Sequence, residues 1–555
     1  MRTIVVLCAG LLLAACSQQV DTVSETDREA EWHQPLFEGL GDIHLPITTS
    51  SETAQKYFDQ GLSLAYAFNH AASDFAFNEA ALNDPDCAMC YWGSALVLGP
   101  NVNAGMSPDV VPRAYALAIR ANELAERSGT ELERQLTRAL LKRYTRTAPE
   151  DRTALDEAYA DAMRTIAAEH NDNVNIQALT AEALMDLHPW DFWLADGEDR
   201  PWTKEIIDTL EHALALDANH AGAIHLYIHA VEQSQSAHRA EPYADKLADI
   251  APAAGHLVHM PAHIYMRVGR YHDATLNNMK AVDADAAFVQ ACRSNSPIYL
   301  AGYIPHNWHF GWVSAAIEGW SEQAYAMAEG TASGLTPELL RAPGMGVAQH
   351  FLMQPLFAML RFGNWQGVLD TQAPDEDLHY ALGIWHYAQS RAKLGLGDMD
   401  GALASQATLK GLLDSEAVAQ LAFFNEVGKG RTLLAIADKV LDGELAAAQG
   451  NLELAAATLA EAVVLEDALP YSEPPDWYYP ARHSLGVVQL ALGEAAAAEQ
   501  TYREDLAIMP ENGWALIGLQ QALAAQGKDA EAAATGERFA AAWQHADVEI
   551  QASQL

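Results

Sequence analysis

Basic residues are scarce in this chain of 555 residues, which carries 33 Lys+Arg against 74 Asp+Glu and a formal net charge of −41. Proteins that bind nucleic acids neutralise the phosphate backbone with clustered lysines and arginines. An excess of acidic groups on this scale would repel that backbone. We therefore expect no nucleic-acid partner.

Cysteine is also rare, with five in the chain. A small secreted protein stapled by disulfides would contain many more, and a chain of this length with 50% hydrophobic residues can bury a large core without them. The one closely spaced pair is Cys87 and Cys90, which follows Asp84-Pro85 at a predicted helix start, where the helix dipole favours a thiolate. This pair is either a reversible disulfide or soft metal site, or two packed cysteines.

Several catalytic signatures are missing from the sequence. It contains no H-E-x-x-H, no G-x-S-x-G and no G-x-x-x-x-G-K-[ST], so a zinc protease, a serine hydrolase and a P-loop protein each lack their motif. We expect no nucleotide cofactor. Whether the protein is an enzyme stays open at this stage, and any chemistry would have to come from a bound metal.

Long apolar runs are confined to the first fifteen residues, and no later run is long enough to cross a bilayer as a helix. Residues 1–15 combine a positive charge at Arg2 with an apolar run over residues 4–13. This pattern is typical of a signal peptide that is removed from the mature protein.

The end of this segment, Leu13-Ala14-Ala15-Cys16, resembles a bacterial lipobox, in which Cys16 would be lipidated. A signal peptide without lipid is the alternative. Ser17 resembles the residue that sorts lipoproteins to the outer membrane. We expect residues 16–46 to be a lipidated N-terminus and flexible tether. The protein would then lie in the bacterial cell envelope, facing the periplasm, with the lipid as its only contact with the membrane.

Internal repeats organise the rest of the chain. The clearest unit is Leu485-Gly486, Ala498, Tyr502 and Pro510, which keeps the L-G…A-x3-F…P spacing of a helix-turn-helix repeat. A glycine recurs at the predicted corner between two helices, at Gly269, Gly319, Gly363, Gly397, Gly450, Gly493 and Gly527. No alternation with the period of a β-strand competes with this pattern.

These patterns resemble the tetratricopeptide-repeat (TPR) family over nearly the whole chain, and residues 255–263 (GHLVHMPAH) are similar to a segment of uncharacterised bacterial TPR lipoproteins. The resemblance implies an all-α fold, a right-handed α-solenoid of roughly twelve irregular TPR helix-turn-helix repeats. We expect this solenoid to span residues 47–546, followed by a C-terminal tail at 547–555. Another kind of α-solenoid is the alternative.

Two histidine pairs recur one repeat apart. His225 and His229 lie on one predicted helix, and His259 and His263 follow at an offset of 34 residues, the length of a TPR repeat. Residues i and i+4 share a helix face, and neighbouring helices pack about 8–10 Å apart. The four imidazoles are therefore predicted to bind one transition-metal ion.

The TPR resemblance also implies which residues line the concave groove. On the family's repeat numbering, the pairs above fall on groove positions, and His188 could reach the groove from an insertion. Glu182 is a candidate metal ligand, a candidate hydrogen-bond partner of a ligand, or a candidate general base. The predicted surroundings of the site are His256, His306, His309, His350, Glu182 and His188.

The sequence thus predicts an envelope TPR lipoprotein whose groove holds a histidine-ligated metal. Imidazole-rich sites favour Cu or Zn, and a carboxylate ligand would admit Fe. A small molecule or peptide would bind in the groove. The alternative is a TPR scaffold that docks a peptide or an envelope protein without any metal.

Overall fold

The computed structural model describes residues 33–194, 197–292, 298–424 and 426–555. Within these ranges the regular structure is helical, apart from a short antiparallel pairing of β1 (Ala422–Phe423) with β2 (Glu426–Val427) and isolated bridges. No helix in the described ranges combines the length and apolar character needed to cross a membrane. The predicted signal peptide and the lipidation at Cys16 lie outside the described residues.

The helices form twelve successive hairpins, so the predicted all-α solenoid is confirmed. In chain order they are α1 (Glu52–Tyr66) with α2 (His70–Asn83), α3 (Ala88–Val97) with α4 (Val111–Ser128), α5 (Glu131–Lys142) with α6 (Thr153–Glu169), α7 (Val174–Met185) with α8 (Thr203–Leu216), α9 (Ala221–Val231) with α10 (Glu241–Ile250), α11 (Gly255–His259) and α12 (Pro261–Val268) with α13 (Tyr271–Ala291), α14 (Ile304–Glu318) with α15 (Ser321–Ala332), α16 (Gly346–Leu352) and α17 (Gln354–Arg361) with α18 (Trp365–Leu369), α19 (His379–Gly395) with α20 (Met399–Leu413), then, after the single turn α21 (Glu416–Gln420), α22 (Lys429–Ala448) with α23 (Leu452–Asp467), α24 (Ala481–Ala491) with α25 (Ala495–Ile508), and α26 (Gly513–Ala525) with α27 (Asp529–Ala542).

Glycine sets the geometry of these hairpins as the sequence predicts. The seven corner glycines, from Gly269 to Gly527, all have φ between +66° and +83°, a region that other residues enter only with strain. Within a hairpin, a Cβ on Gly486 would lie 2.3 Å from the ring of Tyr502. The two helices of that repeat therefore approach each other closely, as in a TPR.

The solenoid is wound so tightly that its turns touch. Early in the chain, a Cβ on Gly222 in α9 would lie 2.4 Å from the ring of Tyr66 in α1. Later, Trp514 Nε1 donates a hydrogen bond of 2.9 Å to the Ala316 carbonyl oxygen. The predicted groove positions His225, His229, His256, His259 and His263 are therefore buried between the turns.

Both ends of the described chain are packed onto this body. Gln34 is fully buried and donates to the Ala72 carbonyl oxygen at 3.1 Å, so residues 33–46 are folded and the expectation of a flexible tether over that stretch is wrong. In the segment 547–555, Ser553 is fully buried and donates to the His483 carbonyl oxygen at 2.9 Å. This segment is part of the fold and not a loose tail.

Candidate metal centre

Six histidines from three consecutive hairpins meet in the interior of the solenoid. Five of them are buried, with at most 5% of their surface exposed. They come from α9 (His225, His229), α11 (His256, His259), α12 (His263) and α14 (His306).

The six imidazoles form two groups, not one site of four. The first triad is His225, His229 and His256, and the second triad is His259, His263 and His306. In each triad the nitrogen atoms that could bind a metal lie within 4.8 Å of one another. The structure therefore divides the four predicted ligands between two triads and adds one residue of the predicted surroundings to each.

A close approach of two helices fixes the start of α11. A Cβ on Gly255 would lie 2.0 Å from Asp285 Oδ1 in α13, so no larger residue fits there without a shift. The Asp285 carboxylate is held by hydrogen bonds from Tyr299 Oη at 2.7 Å and Asn307 Nδ2 at 2.8 Å. This contact sets the position from which His256 and His259 project.

Two histidines of the second triad, His259 and His263, have an oxygen beside their Nδ1 atoms. Asn278 Nδ2 donates to the Ala274 carbonyl oxygen, so Asn278 Oδ1 accepts from His259 Nδ1 at 2.6 Å. His263 Nδ1 lies against the Glu232 carboxylate. Because both Nδ1 atoms face an oxygen, the Nε2 atoms of His259 and His263 are turned toward each other, 2.8 Å apart.

The first triad follows the same pattern. His225 Nδ1 donates to the Tyr66 carbonyl oxygen at 2.6 Å, and His229 Nδ1 donates to Glu232 Oε1 at 2.9 Å. His225 Nε2 lies 3.1 Å from His256 Nε2. Within the part of the chain that the structure describes, His229 Nε2 and His256 Nδ1 are buried without a hydrogen-bond partner.

Two carboxylates adjoin the triads. Burial raises the pKa of Glu232, but the neighbouring His263 and His229 outweigh it and hold that pKa below its usual range. Burial likewise lowers the pKa of His263, yet Glu232 and then Glu473, 3.3 Å from His263 Nδ1, raise it overall. The pair is therefore a buried carboxylate with a charged imidazole in the absence of a metal.

The other five imidazoles are held neutral, which is the form that binds metals. Burial is the largest cause in every case, and repulsion between neighbouring imidazoles adds to it. Burial lowers the pKa of His306 to about 3. It also lowers the pKa values of the other four imidazoles, those of His225, His229, His256 and His259.

An aromatic ring covers each triad. The ring of Phe68 lies 4.4 Å from that of His225 and 5.5 Å from that of His256. On the other side, the ring of Phe310 lies 5.1 Å from that of His259 and 4.9 Å from that of His263. Such an apolar shell limits the access of water to a metal site.

A cavity of about 850 Å³ adjoins the triads. Glu473 lines it and contacts His263. Trp190, also on its wall, meets the ring of His229 edge-on at 5.0 Å. Elsewhere on the wall, Asp476 forms an ion pair of 2.8 Å with Lys429.

Two of the predicted surrounding residues lie apart from both triads. Glu182 lies near Asp186 and Arg143, and burial, followed by the charge of Asp186, raises its pKa to about 8. His188 stacks on Trp202 with ring centroids 3.6 Å apart. Neither belongs to a group of potential ligands within the described residues.

The same holds for His309 and His350, whose rings lie 5.8 Å apart in a separate buried cluster. His350 Nδ1 is hydrogen-bonded to Tyr380 Oη at 2.8 Å. Cys87 and Cys90, at the start of α3, are joined by a disulfide. Of the alternatives that the sequence left open for this pair, the structure has the disulfide.

Sequence reasoning missed both carboxylates and Asn278. Glu232 follows His229 by three residues, and a spacing of i,i+3 puts two side chains on neighbouring parts of one helix face, so that signal was present. Glu473 lies in the loop between α23 and α24, more than 200 residues from His263 along the chain. No local pattern connects the two.

No family model matches this sequence, and no curated protein matches it. Among solved structures, the APC/C hetero-tetramer Cut9-Hcn1 is similar at 15% identity and a TM-score of 0.31, over 86% of this chain and 78% of that one. The human IFIT1 dimer with m7Gppp-AAAA gives 11% and 0.31, over 89% and 91%. Yeast Tom70 gives 12% and 0.25, over 88% and 93%. Sequence identities and TM-scores this low assign no function.

Proposed function

We propose that this protein is a transition-metal-binding protein of the bacterial envelope and that the second triad, His259, His263 and His306, holds an ion inside the solenoid. The observation that carries the proposal is the 2.8 Å contact between His259 Nε2 and His263 Nε2. Both Nδ1 atoms face an oxygen, so the two Nε2 atoms meet with one proton between them, carried by the charged His263. A metal cation that displaces this proton would be bound by both nitrogens.

The second nitrogens of these imidazoles support the same function. Histidines that bind metals usually donate their other N–H to a carboxylate or carbonyl oxygen, which fixes the ring and strengthens the ligand. His259 does so to Asn278 at 2.6 Å, and His263 does so to Glu232. The orientation of these two histidines therefore supports the proposed metal site.

The donor set favours particular metals. Each triad consists of imidazoles, with no thiolate among its described ligands. Such sites suit Cu or Zn, and the nearby Glu473 carboxylate would also admit Fe. The cavity of about 850 Å³ beside Glu473 leaves room for a small molecule next to the ion. Glu473 is then better situated than Glu182 to act as a general base.

A TPR-like scaffold is also compatible with a role in protein interaction, because helical-repeat proteins bind partners on extended concave surfaces. In this protein five of the six histidines are at most 5% exposed. A docked peptide would therefore have to use other surfaces, such as the cavity beside Glu473. The buried imidazoles contribute nothing to such a role.

Metal content tests the proposal. Purified protein lacking residues 1–16 is dialysed, titrated with Zn, Cu or Fe and analysed for bound metal. His259→Asn and His263→Asn should each reduce the metal content. The matched control is His220→Asn, because His220 is 5% exposed and both of its ring nitrogens have protein partners. A wild-type protein that takes up none of these metals would leave the scaffold role as the better account.

The envelope location rests on the lipobox-like residues that end at Cys16. A fatty-acid analogue fed to cells should label the wild-type protein and leave the Cys16→Ala variant unlabelled. Equal labelling of both would contradict lipidation at this position.

A further inference from the structure

We propose that the first triad, His225, His229 and His256, binds a second transition-metal ion, so that the protein carries a coupled pair of ions of the Cu or Zn type. This inference deepens the proposed function and rests on it. It differs from the single four-histidine site expected from sequence in the number of ions and in the ligands of each.

The first triad contains nitrogen atoms that no protein group satisfies. His229 Nε2 and His256 Nδ1 are buried and lack a hydrogen-bond partner among the described residues. A buried polar atom without a hydrogen-bond partner destabilises the folded state, and the three residues of this triad are at most 3% exposed. Coordination at the contact of His225 with His256 would give His229 Nε2 a partner, whereas a purely structural role leaves it unpaired.

His225 is oriented as a ligand. Its Nδ1 donates to the Tyr66 carbonyl oxygen at 2.6 Å, so Nε2 carries the lone pair and lies 3.1 Å from His256 Nε2. The Tyr66 carbonyl belongs to α1, which reaches this site only because the solenoid closes on itself. The first triad thus has its own supporting contact, independent of the second triad.

The two closest contacts between imidazole nitrogens lie at two separate places. They are 3.1 Å between His225 and His256, and 2.8 Å between His259 and His263. Both close contacts lie within a triad. A single ion bound by the pairs on α9 and on α11–α12 would require the nitrogens of both close contacts to move apart.

The two triads are nevertheless adjacent. Ring centroids across the boundary are 5.8 Å apart for His229 and His263 and 5.9 Å apart for His256 and His259. Distances within the first triad reach 6.2 Å, between His229 and His256. Both distances across the boundary are therefore shorter than the longest distance within a triad, although most pairs within a triad are closer, at 4.7 or 4.8 Å.

Glu232 joins the two triads and supplies negative charge. It accepts from His229 at 2.9 Å and also contacts His263 Nδ1, so one carboxylate supports a ligand of each triad. Glu473 adds a second carboxylate on the side of His263. Two buried cations need this kind of compensation, because a buried charge without a partner is very unfavourable.

Stoichiometry tests the second ion. Titration of the wild-type protein with Cu(II) or Zn(II) should end at two ions per chain. His256→Asn and His306→Asn should each retain one ion. The control His309→Asn lies three residues from His306 on α14 and is 6% exposed, yet it belongs to neither triad, so it should retain two. Circular dichroism establishes that each variant is folded.

The outcomes separate this inference from the proposed function. One ion in the wild-type protein would overturn the second site and leave the metal function intact, whereas no ion would overturn both. The wild-type result decides this even if a variant fails to fold.

Electron paramagnetic resonance tests the coupling. Two adjacent Cu(II) ions should give much less than two spins of ordinary signal per chain, and His256→Asn should restore about one spin. Two full and independent spins in the wild type would refute a coupled pair.

Discussion

Replacing Glu232 with glutamine is the most informative single change near the triads. The carboxylate uses one oxygen for His229 Nδ1, at 2.9 Å, and the other for His263 Nδ1. An amide keeps one acceptor oxygen and replaces the second with an N–H2 group that cannot accept. At least one imidazole therefore loses the hydrogen bond that fixes its tautomer and direction.

The expected loss can be estimated from this geometry. Changing a group that supports a metal ligand typically weakens metal affinity by 10–100-fold, and each tenfold corresponds to about 1.4 kcal/mol. Glu232 supports a ligand in each triad, so we expect Glu232→Gln to raise the dissociation constant by at least tenfold for the ion whose ligand is released. The metal-free protein should also be destabilised, since His263 loses a buried charge partner.

Competition with a chelator of known affinity, at one pH and salt concentration, measures the dissociation constant. The matched control is Glu211→Gln on α8, because Glu211 accepts a hydrogen bond from Tyr227 Oη at 2.7 Å and lies outside both triads. The control should bind metal as the wild type does. Equal affinities for Glu232→Gln and wild type, within a factor of about two, would refute the role of Glu232 in holding the ligands.

Two further predictions concern the frame of the site. Gly255→Val should destabilise the protein by about 1–3 kcal/mol and weaken metal binding, because its Cβ would meet Asp285 at 2.0 Å; unchanged thermal unfolding would contradict this. Burial raises the pKa of Glu466 to about 8, so near neutral pH the folded state holds a proton that the unfolded state releases. The stability that the protonated Glu466 contributes is therefore lost as the pH rises towards and through 8. The melting temperature of Glu466→Gln should therefore fall less between pH 5 and pH 8.5 than that of the wild type, and parallel curves would refute the assignment.

The repeats could be predicted from sequence because their signals are local. The glycine at each corner is dictated by a left-handed backbone conformation, and all seven predicted corners, such as Gly269 at φ +82°, have it. The close approach at Gly486 follows from the same repeat pattern. Such features depend on residues within one hairpin, so no knowledge of the whole chain is needed.

The grouping of the histidines could be predicted only in part. The spacing correctly indicates that His225 and His229 lie together, and likewise His259 and His263. His256 and His259 are three residues apart on α11, yet they belong to different triads. Their division depends on where α9 and α14 lie on either side of α11, which is a property of the packing between repeats.

How tightly the solenoid winds changes what its groove positions mean. In an open solenoid, polar residues on the concave face are solvated and can bind a partner. Here α1 packs against α9, and the loop that contains Glu473 reaches His263, so the same positions become interior. A buried imidazole must find a partner for each nitrogen, and His220 does so with protein groups alone. Among the described residues, the triads lack such partners for His229 Nε2 and His256 Nδ1, and this difference between equally buried histidines supports the proposed ligand site over ordinary core packing.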